Sequence, residues 1–241
     1  SGLSVRAVRA TSKKSAEILL FFGILLVMPS PAGRDYFLLL SNTYVMHLTI
    51  FQTPVINHFM RWVALLSMRL TGWKVEGMTP QEKKYVLIAA PHTSNWDFPV
   101  TLMVCFVMRL RVYWMGKASL FPPVVGGVMR WLGGIAVDRS KANNLVQGTI
   151  DAFHANTELT VIVPPEGTRG KVTRWKTGFY YIALGAGVPI ALGYLDFSRK
   201  VGGIGKMFMP TGDIEADMKE IRAFYKDIKG KNPQFFGRSR A

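Results

Sequence analysis

The 241-residue sequence has one cysteine, Cys105, and only 15 acidic side chains against 30 lysines and arginines, a formal net charge of +15. A single cysteine excludes an intrachain disulfide framework and any multi-cysteine metal site, and it fits a reducing compartment. Charged residues make up only 19% and hydrophobic ones 49%, with a mean hydropathy of +0.18. Such a chain has enough apolar surface to offset its conformational entropy, so disorder and low complexity are excluded. The length suits one domain with a real core, and no internal repeat is visible. A chain this basic and this apolar points to an anionic membrane surface ahead of nucleic acid, whose binders carry their charge on a more polar exterior.

Long apolar runs are also scarce. Arg6, Arg9, Lys13 and Lys14 precede the first acid, Glu17, and the run Ile18–Met28 is then broken by Pro29 and Pro31. Eleven residues make a helix of about 16 Å, too short for a hydrocarbon core of ~30 Å. A cleaved signal peptide ending near Ser30-Pro31-Ala32 is one reading. The reading adopted is a retained helix that enters one leaflet, because more membrane-seeking sequence follows. Tyr36–Met60 has no charged side chain apart from His47 and His58, yet Asn42, Gln52, Pro54 and Asn57 weaken a simple span. A helix is expected from a Thr53 N-cap and Pro54 to a stop at Gly72. On it His58, Arg61 and Arg69 form a narrow basic stripe beside a broad apolar face of Val55, Phe59, Trp62, Leu66 and Leu70, suited to an interface plane or to a core helix with snorkelling arginines.

After Trp73 the rhythm alternates. Strands are expected at Tyr85–Ala90, Val112–Met115, Ile135–Val137, Leu159–Val163 and Pro189–Leu195. Helices are expected at Phe98–Leu110, Leu120–Leu132, after Ser140, at Thr177–Gly187 and from Asp213 to Gly230, followed by a loose basic tail after Lys231. The fold class is therefore α/β: a largely parallel sheet flanked by helices, carried by residues 73–241, with residues 1–72 as an N-terminal apolar helical membrane-binding segment.

Ligands of parallel α/β sheets gather beyond the carboxyl ends of the strands, and three such ends are polar here. In Pro91-His92-Thr93-Ser94-Asn95-Trp96-Asp97, a turn would let Asp97 orient one ring nitrogen of His92 and leave the other as a base. Spacing alone equally allows Asp97 as a plain N-cap and His92 as a solvated loop residue. Arg139, after Gly134–Asp138, and Arg169, within Pro165-Glu166-Gly167-Thr168-Arg169, suit a phosphate site near helix starts and glycines. Each is also compatible with a surface ion pair, Arg139 with Asp138 or Arg169 with Glu166.

Taken in order, His92-x4-Asp97, the Gly134–Arg139 block, Pro165–Arg169 and Val188-Pro189-Ile190 resemble the four blocks of the PlsC-like glycerolipid acyltransferases, over roughly residues 85–192. Pro164 stands where that family often has an aromatic residue, and Gly170 where it often has serine. The resemblance implies transfer of a fatty acyl group from acyl-CoA or an acyl-carrier protein to the hydroxyl of lysophosphatidic acid, giving phosphatidic acid in phospholipid biosynthesis. It makes His92 the general base and Asp97 the group that fixes its tautomer. It assigns Arg139, Glu166, Gly167, Thr168 and Arg169 to the acceptor head group, and Pro189 to the acyl-donor side or to shaping the site. No metal, no cofactor beyond the acyl thioester and no nucleic-acid partner are implied, and cytosolic donors imply the cytoplasmic face of the cell membrane. Other acceptors (a lyso-ornithine lipid or another lysophospholipid), a lipid or thioester hydrolase, and a non-catalytic lipid-binding protein are the competing expectations.

Overall fold

The structure is a computed structural model that describes residues 46–137, 142–172 and 174–236. The basic opening, the Ile18–Met28 run and Asp138, Arg139 and Ser140 lie outside the described residues.

Lys84–Ala90 forms the central strand, β2, of a seven-stranded sheet ordered β1-β7-β6-β2-β5-β3-β4. β2 is flanked in parallel by β5 (Leu159–Val163) and β6 (Ile190–Asp196). Beyond β5, β3 (Tyr113–Lys117) and β4 (Gly134–Val137) continue the parallel run. β7 (Val201–Phe208) returns antiparallel to β6 and carries β1 (Lys74–Gly77) parallel to itself at the edge. The largely parallel sheet is thus as expected, with two strands added that the apolar pattern did not mark.

Side chains alternate between the two faces of a strand, so a strand covered on both sides reads as an unbroken apolar run. In β2, Val86, Ile88 and Ala90 enter one core with Phe153, Phe179, Tyr180, Ile221 and Tyr225. Tyr85 and Leu87 enter the other, with Ala64, Met68, Val104, Cys105 and Phe106. The first core is closed by α4 (Ala142–Ala155), α5 (Gly178–Ala186) and α6 (Ile214–Phe224); the second by α1 (Ile56–Thr71) and α2 (Asp97–Met108). Helix α1 therefore buries one face, Ala64 and Met68, in the sheet's core. Among the described residues no helix is long and apolar enough to cross a membrane.

Several boundaries differ from expectation for local reasons. Thr53 does not cap α1, because its Oγ1 donates to Thr49 O and Val55, at φ 65°, precedes the helix. The stop at Gly72 is as read, with the left-handed backbone (φ 77°) that glycine adopts without a Cβ clash. The expected Leu120–Leu132 helix is cut to α3 (Gly126–Trp131), since Pro122 and Pro123 hold the chain in turns. Asp213 does cap α6, accepting from the Glu215 and Ala216 amides at 3.1 Å each, but the helix ends at Phe224 rather than Gly230. The segment after Lys231 is not loose as far as Phe236. Pro233–Phe235 form a 3-10 turn, and Phe236 packs against Trp175 at 6.2 Å between ring centres.

Candidate active site

Strand β2 ends at Ala90, the Ala90–Pro91 peptide bond is cis, and the chain turns through His92–Trp96 into α2. Trp96 takes the N-cap position and Asp97 is the first helical residue, so the carboxylate faces back into the loop that precedes it. Its Oδ2 accepts the Thr93 amide at 2.8 Å and the Ser94 amide at 2.9 Å, and stands 3.1 Å from His92 Nδ1. Ser94 Oγ accepts the Trp96 amide at 3.1 Å and tightens the same turn. Asp97 is only 3% exposed. Burying a carboxylate is costly unless charge-assisted bonds hold it, and here two amides and the positive end of α2 do so. The structure therefore brings His92 and Asp97 together, as the turn between them requires. Nε2 of His92 has no protein partner among the described residues, on a ring that is 18% exposed.

The neighbouring strand β5 leads into Pro164-Pro165-Glu166. Glu166 is 2% exposed, and its Oε1 accepts the His92 amide at 2.9 Å. Its Oε2 is buried with no hydrogen-bond partner, as is Oδ1 of Asp97. Burial pushes the Glu166 carboxyl above its ordinary range against the pull of the His92 amide, and the nearby Asp97 adds to the rise. Glu166 is thus turned inward onto the His92 loop and away from solvent, whereas Arg169 is exposed. Gly167 adopts φ 63° in the turn after it, with its amide donating to Pro164 O, and the Lys176 side chain lies over it where a Cβ would come within 3.0 Å. Thr168 and Arg169 are exposed, and Thr168 Oγ1 accepts the Gly170 amide.

The other expected positions divide. Arg139 follows β4 but lies outside the described residues. Lys117 ends β3 opposite Val137, at the same carboxyl end of the sheet, and is marked in the sequence only as a cation after a short apolar run. Pro189 is not brought to the cluster. Its carbonyl accepts the Val86 amide at the amino end of β6, about 13 Å of strand from the end of β2 where His92 begins. Cys105 is 1% exposed inside α2, and burial pushes its thiol up to about 12, so it is no nucleophile at neutral pH. Among the described residues no group of three or more His, Cys, Asp or Glu could hold a metal ion.

The Glu166 environment has a consequence for stability. A carboxyl raised by folding stabilises the fold fully below its ordinary value of 4.5 and loses that contribution as pH rises through the folded value. Glu166→Gln keeps the acceptor for His92 N–H but cannot ionise. Urea unfolding from pH 4 to 8 should show the wild-type advantage over Glu166→Gln shrinking as pH rises; a flat advantage would mean an unshifted carboxyl and a growing one a carboxylate held ionised, and either would contradict the rise.

Similarity to known proteins falls on this same part of the chain. The Acyltransferase family model matches residues 72–191. The 1-acyl-sn-glycerol-3-phosphate acyltransferase of Haemophilus influenzae is 31% identical over 140 residues, 54% of this chain and 56% of that protein. The Escherichia coli protein of the same name is 28% identical over 131 residues, 50% of this chain and 52% of that protein. The chain thus spans about half the length of the curated relatives it matches. The crystal structure of the 1-acyl-sn-glycerophosphate acyltransferase PlsC from Thermotoga maritima superposes with a TM-score of 0.48 at 16% identity, covering 73% of this chain and 82% of that one. The match of residues 72–191 to the Acyltransferase family takes in both the His92–Asp97 loop and the Glu166–Arg169 turn, so the likeness to acyltransferases falls on the part of the chain that forms this site.

Proposed function

We propose that the chain is a membrane-bound 1-acyl-sn-glycerol-3-phosphate acyltransferase. It moves a fatty acyl group from an acyl thioester, acyl-CoA or acyl-carrier protein, to the free hydroxyl of lysophosphatidic acid, giving phosphatidic acid. The observation that carries this reading is the contact between His92 Nδ1 and Asp97 Oδ2, at 3.1 Å beyond the end of the central strand. Asp97 favours the tautomer with its proton on Nδ1, which leaves Nε2 as the basic nitrogen. The acceptor O–H gives its proton to Nε2 as the oxygen forms a bond to the thioester carbonyl carbon. The C–S bond then breaks, and the imidazolium returns the proton to the departing thiolate. No covalent acyl-enzyme is required, in keeping with the buried, poorly acidic Cys105.

The acceptor is an amphiphile already lodged in a leaflet, so the enzyme must work at that surface. One face of α1 is suited to this. Phe59, Trp62, Leu66 and Leu70 recur at helical spacing and are 41–77% exposed, on the side opposite the buried Ala64 and Met68. Together with the net charge of +15, such a face favours the interface plane of an anionic membrane. Because the donors are cytosolic, the cytoplasmic face of the cell membrane is the location proposed.

Two experiments test this. With a labelled acyl donor and a panel of lysolipids, the wild type should acylate lysophosphatidic acid and His92→Ala should lose about 10²- to 10⁴-fold in rate. Arg169→Ala should raise the acceptor KM about 10- to 150-fold, the value of a charge-assisted guanidinium–phosphate contact, with little change for the donor. A phosphate-free lysolipid that serves as well, indifferent to Arg169→Ala, would transfer the assignment to a lyso-ornithine type of acceptor; free fatty acid released without any acceptor would make the protein a hydrolase.

In vesicle flotation, replacing both Phe59 and Trp62 by aspartate should cut binding to phosphatidylglycerol-containing vesicles by at least about tenfold. Each ring is worth roughly 1.5–3 kcal/mol of apolar burial. The excess affinity for anionic over zwitterionic vesicles should shrink with added salt. Unchanged flotation would remove α1 from the membrane contact.

A further inference from the structure

The loop that carries His92 is gripped from a part of the chain well outside residues 72–191. After α6 the chain passes Tyr225, whose hydroxyl donates to Gly193 O at 2.9 Å, and runs back along the loop. The Phe197 amide donates to Lys229 O at 2.9 Å, which ties this stretch to the β6–β7 turn. Gly230 is buried so closely against the loop that a Cβ there would lie 2.6 Å from Thr93 Oγ1 and 3.0 Å from Pro91 Cβ. Lys231 places its ammonium 4.8 Å from the centre of the Trp96 ring. Asn232 then makes two bonds to one residue: its amide donates to Thr93 Oγ1 at 3.1 Å, and its Nδ2 donates to Thr93 O at 2.9 Å. Thr93 is 3% exposed and follows His92 directly.

We propose that Gly230–Asn232 is a strap that sets the catalytic loop, with Asn232 a positioning residue that acts on His92 through Thr93. The backbone of Thr93 is held on both sides: its amide by Asp97 Oδ2 and its carbonyl by Asn232 Nδ2. Its hydroxyl is held by the Asn232 amide. With Glu166 on the His92 amide and Asp97 on Nδ1, these contacts leave the imidazole little freedom to swing. The glycine at 230 is required by the same contact, because any side chain there would push Thr93 and Pro91 away. Reacting groups misplaced by about 1 Å typically cost 10²-fold in rate, so a residue that never touches substrate can still set kcat.

The proposal rests on His92 acting in acyl transfer, and its test separates the two. Asn232→Ala in the full chain removes the bond to Thr93 O, and Thr93→Val removes the hydroxyl. Each should lower kcat roughly 10- to 100-fold, with KM for acceptor and donor within about twofold. Thr93→Ser should recover most of what Thr93→Val loses. Independently of activity, the sequence has only four histidines, so the His92 ring signals can be identified by their loss in His92→Ala. Asn232→Ala should move those signals and leave His58 and His154 in place. A folded Asn232→Ala protein with unmoved His92 signals and kcat within twofold of wild type would overturn the strap, as would Thr93→Ser impaired as deeply as Thr93→Val. A wild type that transfers no acyl group would instead sink the proposed function, while the His92 signals still decide the strap.

Discussion

Three successive amides, those of His92, Thr93 and Ser94, are each taken by a buried carboxylate, and the geometry of the site depends on this arrangement. Glu166 holds the first, and one oxygen of Asp97 holds the other two. The loop Pro91–Trp96 between a strand and a helix has little regular bonding of its own, and inside a protein its unpaired amides would be expensive. The same Asp97 oxygen that satisfies the loop stands beside His92 Nδ1. Asp97 therefore takes part both in fixing the loop's conformation and in orienting the imidazole. The fold supplies the partners: β5 lies beside β2, so the turn after β5 delivers Glu166 to the end of β2, and α2 begins where Asp97 must sit.

Much of this is legible in the residues. The strands buried on both faces are apolar runs, and Leu159–Val163 is a strand over its full expected length. The strands that escaped are those whose pattern is not hydrophobic. β1, Lys74–Gly77, is a short and mostly exposed edge strand. β7 contains Gly202, Gly203 and Gly205, a composition that argues against a strand. Its glycines answer to close packing, since a Cβ at Gly203 would fall 1.7 Å from Glu76 O and one at Gly205 2.4 Å from the Phe224 ring. No local rule announces a contact between residues that far apart in sequence.

The candidate site divides in the same way. The spacing of His92 and Asp97 left a dyad and a plain N-cap both open; the decisive feature was the backbone turn, in which Trp96 is the cap and Asp97 points back. Glu166, grouped with the acceptor residues by motif, has a buried carboxyl bonded to the His92 amide, while Arg169 in the same turn is exposed. Asn232 was invisible for a different reason. Its partner is 139 residues away, and a Lys-Gly-Lys-Asn-Pro stretch read in isolation is an unstructured basic tail. On either side of it in the chain, Tyr225 and Phe236 both pack against the ring of Trp175, at 5.4 and 6.2 Å between ring centres.

The central claim is that Asp97 orients His92 as the base that activates the hydroxyl of a lysolipid. The most direct measurement is the rate at which labelled fatty acyl groups appear in phosphatidic acid from lysophosphatidic acid and an acyl thioester, compared between the wild type and Asp97→Asn. An amide at position 97 can still accept the Thr93 and Ser94 amides but cannot favour the same imidazole tautomer with a full charge. The account predicts a folded Asp97→Asn protein that transfers acyl groups about 10²- to 10⁴-fold more slowly. Transfer at the wild-type rate by that folded variant would contradict it.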